Sequence, residues 1–301
     1  MRATKRLAAL GVALAVLVQG CASVGNGPGR LEIDTSISAR SQGSRVRFIV
    51  LHYTVSNKER ALELLSRGEV SSHYLVTDDD PPRVYRLGDE DRAAWHAGQS
   101  EWQGYTWLNR TSIGIEIVNR GPIGTAPDGT TQWQPYKPAQ IEVVKQLVRD
   151  IARRHDIAPE NIVGHSDVAP LRKQDPGPMF PWRELARAGI GRWYDETAAQ
   201  AMRERFEAQG LPDIAWAQQQ LARLGYGVPR TGIWDAETRA VLAAVAEALG
   251  VPRSRVLLRS GERSRDKLLT IVDPPADLAQ RLQALYGDTA PDKPPPAGGR
   301  A

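Results

Sequence analysis

Only five histidines occur in the chain, His52, His73, His96, His155 and His165, so few side chains can hold a metal or move a proton near neutral pH. His52 ends an apolar run, where an imidazole is costly to bury unless it is paired. His165 opens a proline-punctuated stretch that reaches Asp175 ten residues later. Two imidazoles and one carboxylate suffice for a catalytic zinc, which takes three protein ligands and keeps a fourth position for water. The spacing alone does not announce such a site, because no HExxH pair is present and Asp175 would equally suit a loop cap. Glu116 lies between Ile115 and Ile117 in a strand-like run and must point opposite to both, as either a general acid/base or a solvent-face carboxylate would. His155, beside Arg153, Arg154 and Asp156, reads as a solvated residue favoured by a helix C-terminus. Ser166 follows Gly164-His165, but the second glycine of a nucleophile elbow is missing, which argues against serine chemistry.

The elements that must position these groups are legible in outline. Residues 45–53 (RVRFIVLHY) have the β-branched and aromatic content of a buried strand, and residues 57–67 have the leucine spacing of an amphipathic helix capped by Ser56 or Asn57. Residues 72–77 and 83–87 form strand candidates separated by Asp80, Pro81 and Pro82, which suits a hairpin. Residues 113–118 are a further strand. Residues 138–155 are the clearest helix, with Ile141, Val144, Leu147, Val148 and Ile151 on one face to cover the sheet. After residues 162–165, Pro170, Pro176, Pro178 and Pro181 exclude regular structure. This order predicts an α/β domain over residues 45–195, a central mixed β-sheet flanked by helices. Helical patterns at 213–224, 235–249 and 275–286 predict a small C-terminal three-helix domain over residues 211–287, followed by a Pro- and Gly-rich tail, 288–301, expected to be disordered.

The N-terminus reads as a leader. Arg2, Lys5 and Arg6 precede an apolar run from Leu7 to Val18 that is too short to span a bilayer, so residues 1–20 are expected to be a signal peptide. The run ends in Val18-Gln19-Gly20-Cys21, which resembles the lipobox of bacterial lipoproteins and implies lipidation of Cys21, with residues 22–44 as a linker. The chain's only cysteine is then consumed, which leaves neither a thiol nucleophile nor an internal disulfide. Ala22 in place of Asp favours the periplasmic face of the outer membrane by analogy with lipoproteins. The leader carries three cations and no anions, so the formal charge of +4 falls to about +1 without it, and no nucleic-acid partner is expected.

Six short segments occur in a telling order: His52-Tyr53-Thr54, Ser72-His73-Tyr74-Leu75-Val76, Ala94-Trp95-His96-Ala97-Gly98, residues 109–116 (NRTSIGIE), Gly164-His165-Ser166-Asp167 and Lys173-Gln174-Asp175-Pro176-Gly177. Together they resemble the zinc-dependent N-acetylmuramoyl-L-alanine amidases, whose fold is that of the peptidoglycan recognition proteins. The resemblance implies His52, His165 and Asp175 as zinc ligands, Glu116 as general acid/base and Lys173 as the oxyanion partner. It implies Trp95, His96 and Asn109 as substrate contacts, with Trp102 and Trp107 lining or supporting the cleft and His73 mainly structural. The expected substrate is peptidoglycan or its muropeptides, cut between the lactyl group of N-acetylmuramic acid and L-alanine, by a monomer. The competing readings are a recognition protein that binds peptidoglycan without cutting it and a carboxypeptidase acting elsewhere in the stem. Residues 217–227 and 231–239 resemble a peptidoglycan-binding module, although the Phe-Gln pair usual after Thr238 is missing and residues 250–274 read as an insertion.

Overall fold

The computed structural model describes residues 33–127 and 129–249 in full, together with the backbone of two strands at 256–260 and 268–271. Cys21, the expected helix at 275–286 and the tail lie outside the described residues. The chain divides into two units, residues 1–42 and 43–301. In the first, residues 33–42 are exposed and contain neither helix nor strand.

The second unit runs β1 (Phe48–Tyr53), α1 (Lys58–Arg67), β2 (Tyr74–Val76), β3 (Val84–Arg86), β4 (Glu101–Trp102), β5 (Tyr105–Thr106), β6 (Ser112–Ile117), β7 (Pro122–Thr125), β8 (Thr131–Trp133), α2 (Pro138–His155), β9 (Ile162–Gly164), α3 (His165–Val168), α4 (Trp182–Arg187), α5 (Glu196–Gln209), α6 (Ile214–Leu224), α7 (Ala236–Ala248), β10 (Val256–Ser260) and β11 (Leu268–Ile271). The main sheet has the order β3-β2-β6-β1-β9. Strands β2, β6, β1 and β9 pair in parallel, and β3 joins β2 antiparallel as the hairpin expected at the Pro81-Pro82 turn.

The period-2 alternation of the strands sorts two cores. On one face Ile49, Leu51, Ile113, Ile115 and Ile117 meet Ile141, Val144, Val148 and Ile151 of α2. Fully burying each such side chain contributes about 1.5–3 kcal/mol, which explains why the sheet and this helix were the strongest patterns in the chain. On the other face Phe48 and Val50 pack with Ala97, Trp102, Leu108, Val163, Val168 and Ala169, while Ala61 and Leu65 of α1 cover Leu75 of β2. Helix α1 is capped by Asn57, whose Oδ1 accepts the Arg60 N–H at 3.1 Å. Helix α2 starts with Pro138 and stops at Asp156, which turns left-handed at φ +55°.

Several elements depart from expectation. The β4–β5 hairpin turns on Gln103 and Gly104, both at positive φ, the backbone of a two-residue hairpin whose strands are too short to leave a pattern. Two short helices flank the proline-punctuated stretch, α3 ending before Pro170 and α4 starting directly after Pro181, while the segment between these prolines stays irregular. Helix α5 was not foreseen, because it buries none of its residues and so lacks an apolar stripe. Helices α6 and α7 form where the helical patterns marked them, but within the same compact unit as the sheet and not in a unit of their own, and the presumed insertion contains the β10–β11 pair. His155 is not simply solvated: its Nε2 lies 2.7 Å from Glu90, which also binds Arg154 and Tyr74.

Candidate functional site

Three parallel strands bring the chemistry together at their carboxyl ends. His52 is the fifth residue of β1, its register partner on β6 is Glu116, and Leu51 pairs with Gly164 on β9, so His165 follows beside His52. All three side chains leave the face opposite α2, and open parallel sheets characteristically bind ligands beyond this end. Asp175 is delivered by the loop after α3, tied back by the Ser166 N–H to Asp175 carbonyl bond of 2.8 Å.

Three potential ligand atoms converge. His52 Nδ1 lies 3.0 Å from His165 Nδ1 and 2.9 Å from Asp175 Oδ2, and His165 Nδ1 lies 3.0 Å from the same oxygen. All three residues are buried. Their other nitrogens decide what this triangle contains. His165 Nε2 faces the Ala97 carbonyl at 3.1 Å and must carry a proton to donate to it, which in a neutral imidazole makes Nδ1 the nitrogen with the lone pair. His52 Nε2 faces His96 Nδ1 at 3.0 Å, His96 Nε2 faces Ser112 Oγ at 3.2 Å, and Ser112 donates to the Leu108 carbonyl at 2.6 Å. The terminal carbonyl can only accept, so the protons run outward from His52 through His96 and Ser112, and His52 Nδ1 is also a lone pair. Two lone pairs and a carboxylate oxygen facing one another repel unless a cation stands between them. The donor set therefore fits a zinc ion bound by two neutral imidazoles and one carboxylate, each imidazole held by an outer partner.

The electrostatics agree. Burial, then the neighbouring His165, lowers His52 to about 4, so it is neutral at physiological pH. His96 is held well below the usual imidazole value by burial and by His52, His73 and His165. Burial would raise Asp175, but His165 and His52, as hydrogen-bond donors and positive charges, outweigh it, so the carboxyl is lowered and the centre of the triangle favours positive charge. Glu116 goes the other way: burial, then the charge of Asp175, pushes it well above the carboxylate range, and Lys173 pulls it back. Its Oε2 is sealed from solvent with no hydrogen-bond partner, a carboxyl with an unspent lone pair at the edge of the cluster.

The remaining expected residues divide. Trp95 and Trp107 are exposed at 56% and 59%, with apolar faces available to a ligand, whereas Trp102 is buried in the second core. His96 and Asn109, expected as substrate contacts, face inward. Asn109 Oδ1 accepts the N–H groups of His96, Ala97 and Gly98 at 3.2, 2.7 and 3.2 Å, which holds the loop that supplies the Ala97 carbonyl to His165. The Arg172 guanidinium donates to that same carbonyl and, at 2.6 Å, to Gln99. His73 is fully buried, with Nδ1 accepting from Gly114 N and Nε2 bonded to the Arg92 carbonyl, a structural role.

Ser112, Arg172 and the Ala97 carbonyl carried no sequence signal, since serine, arginine and backbone are everywhere. Gly114 did: a glycine inside a strand marks a close approach, and a Cβ there would lie 2.5 Å from His96 Cγ.

Comparison with known proteins assigns the family. Residues 42–178 match the N-acetylmuramoyl-L-alanine amidase family. N-acetylmuramoyl-L-alanine amidase AmiD of Escherichia coli is 40% identical over 277 residues, spanning 79% of this chain and 97% of the relative. Two solved structures superpose well. AMPDH3 of Pseudomonas aeruginosa, in complex with anhydromuramic pentapeptide, has a TM-score of 0.65 at 40% identity over 72% of this chain and 89% of that one. E. coli AmiD, in complex with anhydro-N-acetylmuramic acid-L-Ala-D-γ-Glu-L-Lys, has a TM-score of 0.61 at 38% identity over 72% and 85%. The mixed sheet flanked by helices is the amidase fold shared with peptidoglycan recognition proteins, and the chain belongs to the N-acetylmuramoyl-L-alanine amidase family.

Proposed function

We propose that this amidase is zinc-dependent, with His52, His165 and Asp175 as the ligands, and that it removes the stem peptide from muropeptides, the 1,6-anhydro forms among them. The observation that carries the metal is the triangle of two buried imidazole Nδ1 atoms and one carboxylate oxygen within 3.0 Å of one another, with the outer imidazole nitrogens engaged by His96 and the Ala97 carbonyl. Bound there, zinc would lower the pKa of a water to about 7 and polarise the lactyl carbonyl.

The protein's own groups account for the proton movements. Glu116 takes the water's proton as oxygen bonds to the carbonyl carbon, then delivers it to the alanine nitrogen as the C–N bond breaks, so the peptide leaves as an amine. Burial raises the proton affinity of this carboxyl, which favours its taking the water's proton, and the positive charge of Lys173 opposes that rise. Lys173 contributes positive charge toward the oxygen that becomes negative. Trp95 and Trp107 offer aromatic faces to the sugar ring. The anhydro-muropeptide assignment is supported by the ligands of the two related crystal structures.

The leader and the Cys21 motif support attachment by lipid to the periplasmic face of the outer membrane. No helix among the described residues is long and apolar enough to cross a membrane. In that reading Cys21→Ser abolishes membrane fractionation; an unchanged distribution would remove the anchor.

The test of function is incubation of purified protein with defined muropeptides, with chelator and with zinc restored, followed by mass spectrometry. Release of free stem peptide only in the zinc-replete sample is expected. Intact substrate there would instead favour a binding protein, and fragments still bearing muramic acid would favour a carboxypeptidase.

A further inference from the structure

The C-terminal helices reach the metal-ligand turn through one side chain. Tyr226 follows α6, and its hydroxyl donates to Asp167 Oδ1 at 2.8 Å. The other oxygen of Asp167 accepts the Gly164 N–H at 2.7 Å, closing the turn from β9 into α3 around His165. That turn has no slack: a Cβ at Gly164 would lie 2.7 Å from Pro176 and 3.3 Å from Asp167. Tyr226 is itself held firmly. Its ring meets Trp102 edge-on at 4.9 Å, Gln103 N–H donates to the Gly225 carbonyl at 2.7 Å, and Trp102 Nε1 donates to the Glu160 carbonyl at 3.3 Å. A Cβ at Gly225 would lie 2.9 Å from the Trp102 ring, so the turn after α6 packs directly against that ring.

We propose that Tyr226 is a positioning residue for the metal centre: it anchors Asp167 from the C-terminal helices and through it orients the turn that presents His165, which makes those helices a working part of the site. The inference rests on the zinc reading above. The Tyr226 hydroxyl is bonded to Asp167 and not to His52, His165 or Asp175, so its effect is on how well His165 is aimed.

The experiment measures zinc affinity of the full-length apoprotein by competition with a chromogenic chelator, together with the visible spectrum of the cobalt-substituted protein. Tyr226→Phe keeps the ring on Trp102 and removes only the hydroxyl. It should weaken zinc about tenfold, the scale seen when outer-shell partners of a ligand are lost, and alter the cobalt bands. Thr231→Val serves as control, because the Thr231 hydroxyl bonds to Gln218 of α6, to Asp235 at the start of α7 and to the Ile233 N–H between them, and not to Asp167. It should lower unfolding resistance without changing metal affinity. Adding Tyr226→Phe to Asp167→Ala should cause no further loss. Wild-type affinity and spectrum in Tyr226→Phe would overturn the proposal, as would an equal loss in Thr231→Val. A wild-type protein that binds no zinc would instead overturn the metal reading, and this inference with it.

Discussion

Gly114→Ala tests the hydrogen-bond chain behind His52 with a single methyl group. The added Cβ would lie 2.5 Å from His96 Cγ and 2.7 Å from both Cδ2 and Nδ1. These are the atoms nearest the backbone of a buried ring, so no rotamer change at a flexible tip relieves the clash. Reaching an ordinary contact requires the ring to move by roughly 1 Å, while its bonds to His52 and Ser112, at 3.0 and 3.2 Å, tolerate far less. Overpacking of this kind costs about 1–3 kcal/mol, and two weakened buried hydrogen bonds add about 1 kcal/mol each. Alanine regains about 0.5–1 kcal/mol of backbone entropy over glycine. A net loss of about 2–4 kcal/mol is expected in urea unfolding of the apoprotein, with zinc affinity down about 10- to 100-fold once His52 loses its fixed tautomer. A variant with wild-type stability and affinity would show that His96 does not hold His52, and the proton order inferred for the chain would fail.

Replacement of Glu116 by Gln should leave zinc bound and lower kcat about 10²- to 10⁴-fold; normal turnover removes Glu116 from the mechanism. Lys173→Met should lower kcat about 10²- to 10³-fold with little change in unfolding, and an effect confined to KM would assign it to substrate binding alone. Glu90 offers a pH test away from the metal. Burial would raise its carboxyl, but Arg154, Tyr74 and His155 outweigh that and bring it to about 2, below its usual 4.5. A depressed acid stabilises the fold above its unfolded pKa and loses that contribution as pH falls. Allowing for solvent screening of these partly exposed pairs, Glu90→Gln should therefore cost about 1–2 kcal/mol near pH 7, with the gap to wild type closing between about pH 4.5 and 2. A gap independent of pH would mean the ion pairs contribute nothing.

The elements that position the site were readable because burial writes a period into a sequence. The stripe from Ile141 to Ile151 and the run from Phe48 to Tyr53 are apolar where the fold needs them to be, and α2 forms with the bounds its pattern predicts. Helix α5 and the short hairpins left no such record, since neither buries a face of its own. Five histidines made the candidate ligands few, and the family motifs ordered them. What the sequence by itself determined was therefore which residue types were available and which stretches had to be strand or helix. Tertiary structure alone decided that His52, Glu116 and His165 stand side by side, because strand register is a relation between segments more than forty residues apart. It also decided which imidazole nitrogens keep a lone pair, because that depends on partners such as Ser112 Oγ and the Ala97 carbonyl, which mean nothing until the backbone brings them within hydrogen-bond reach.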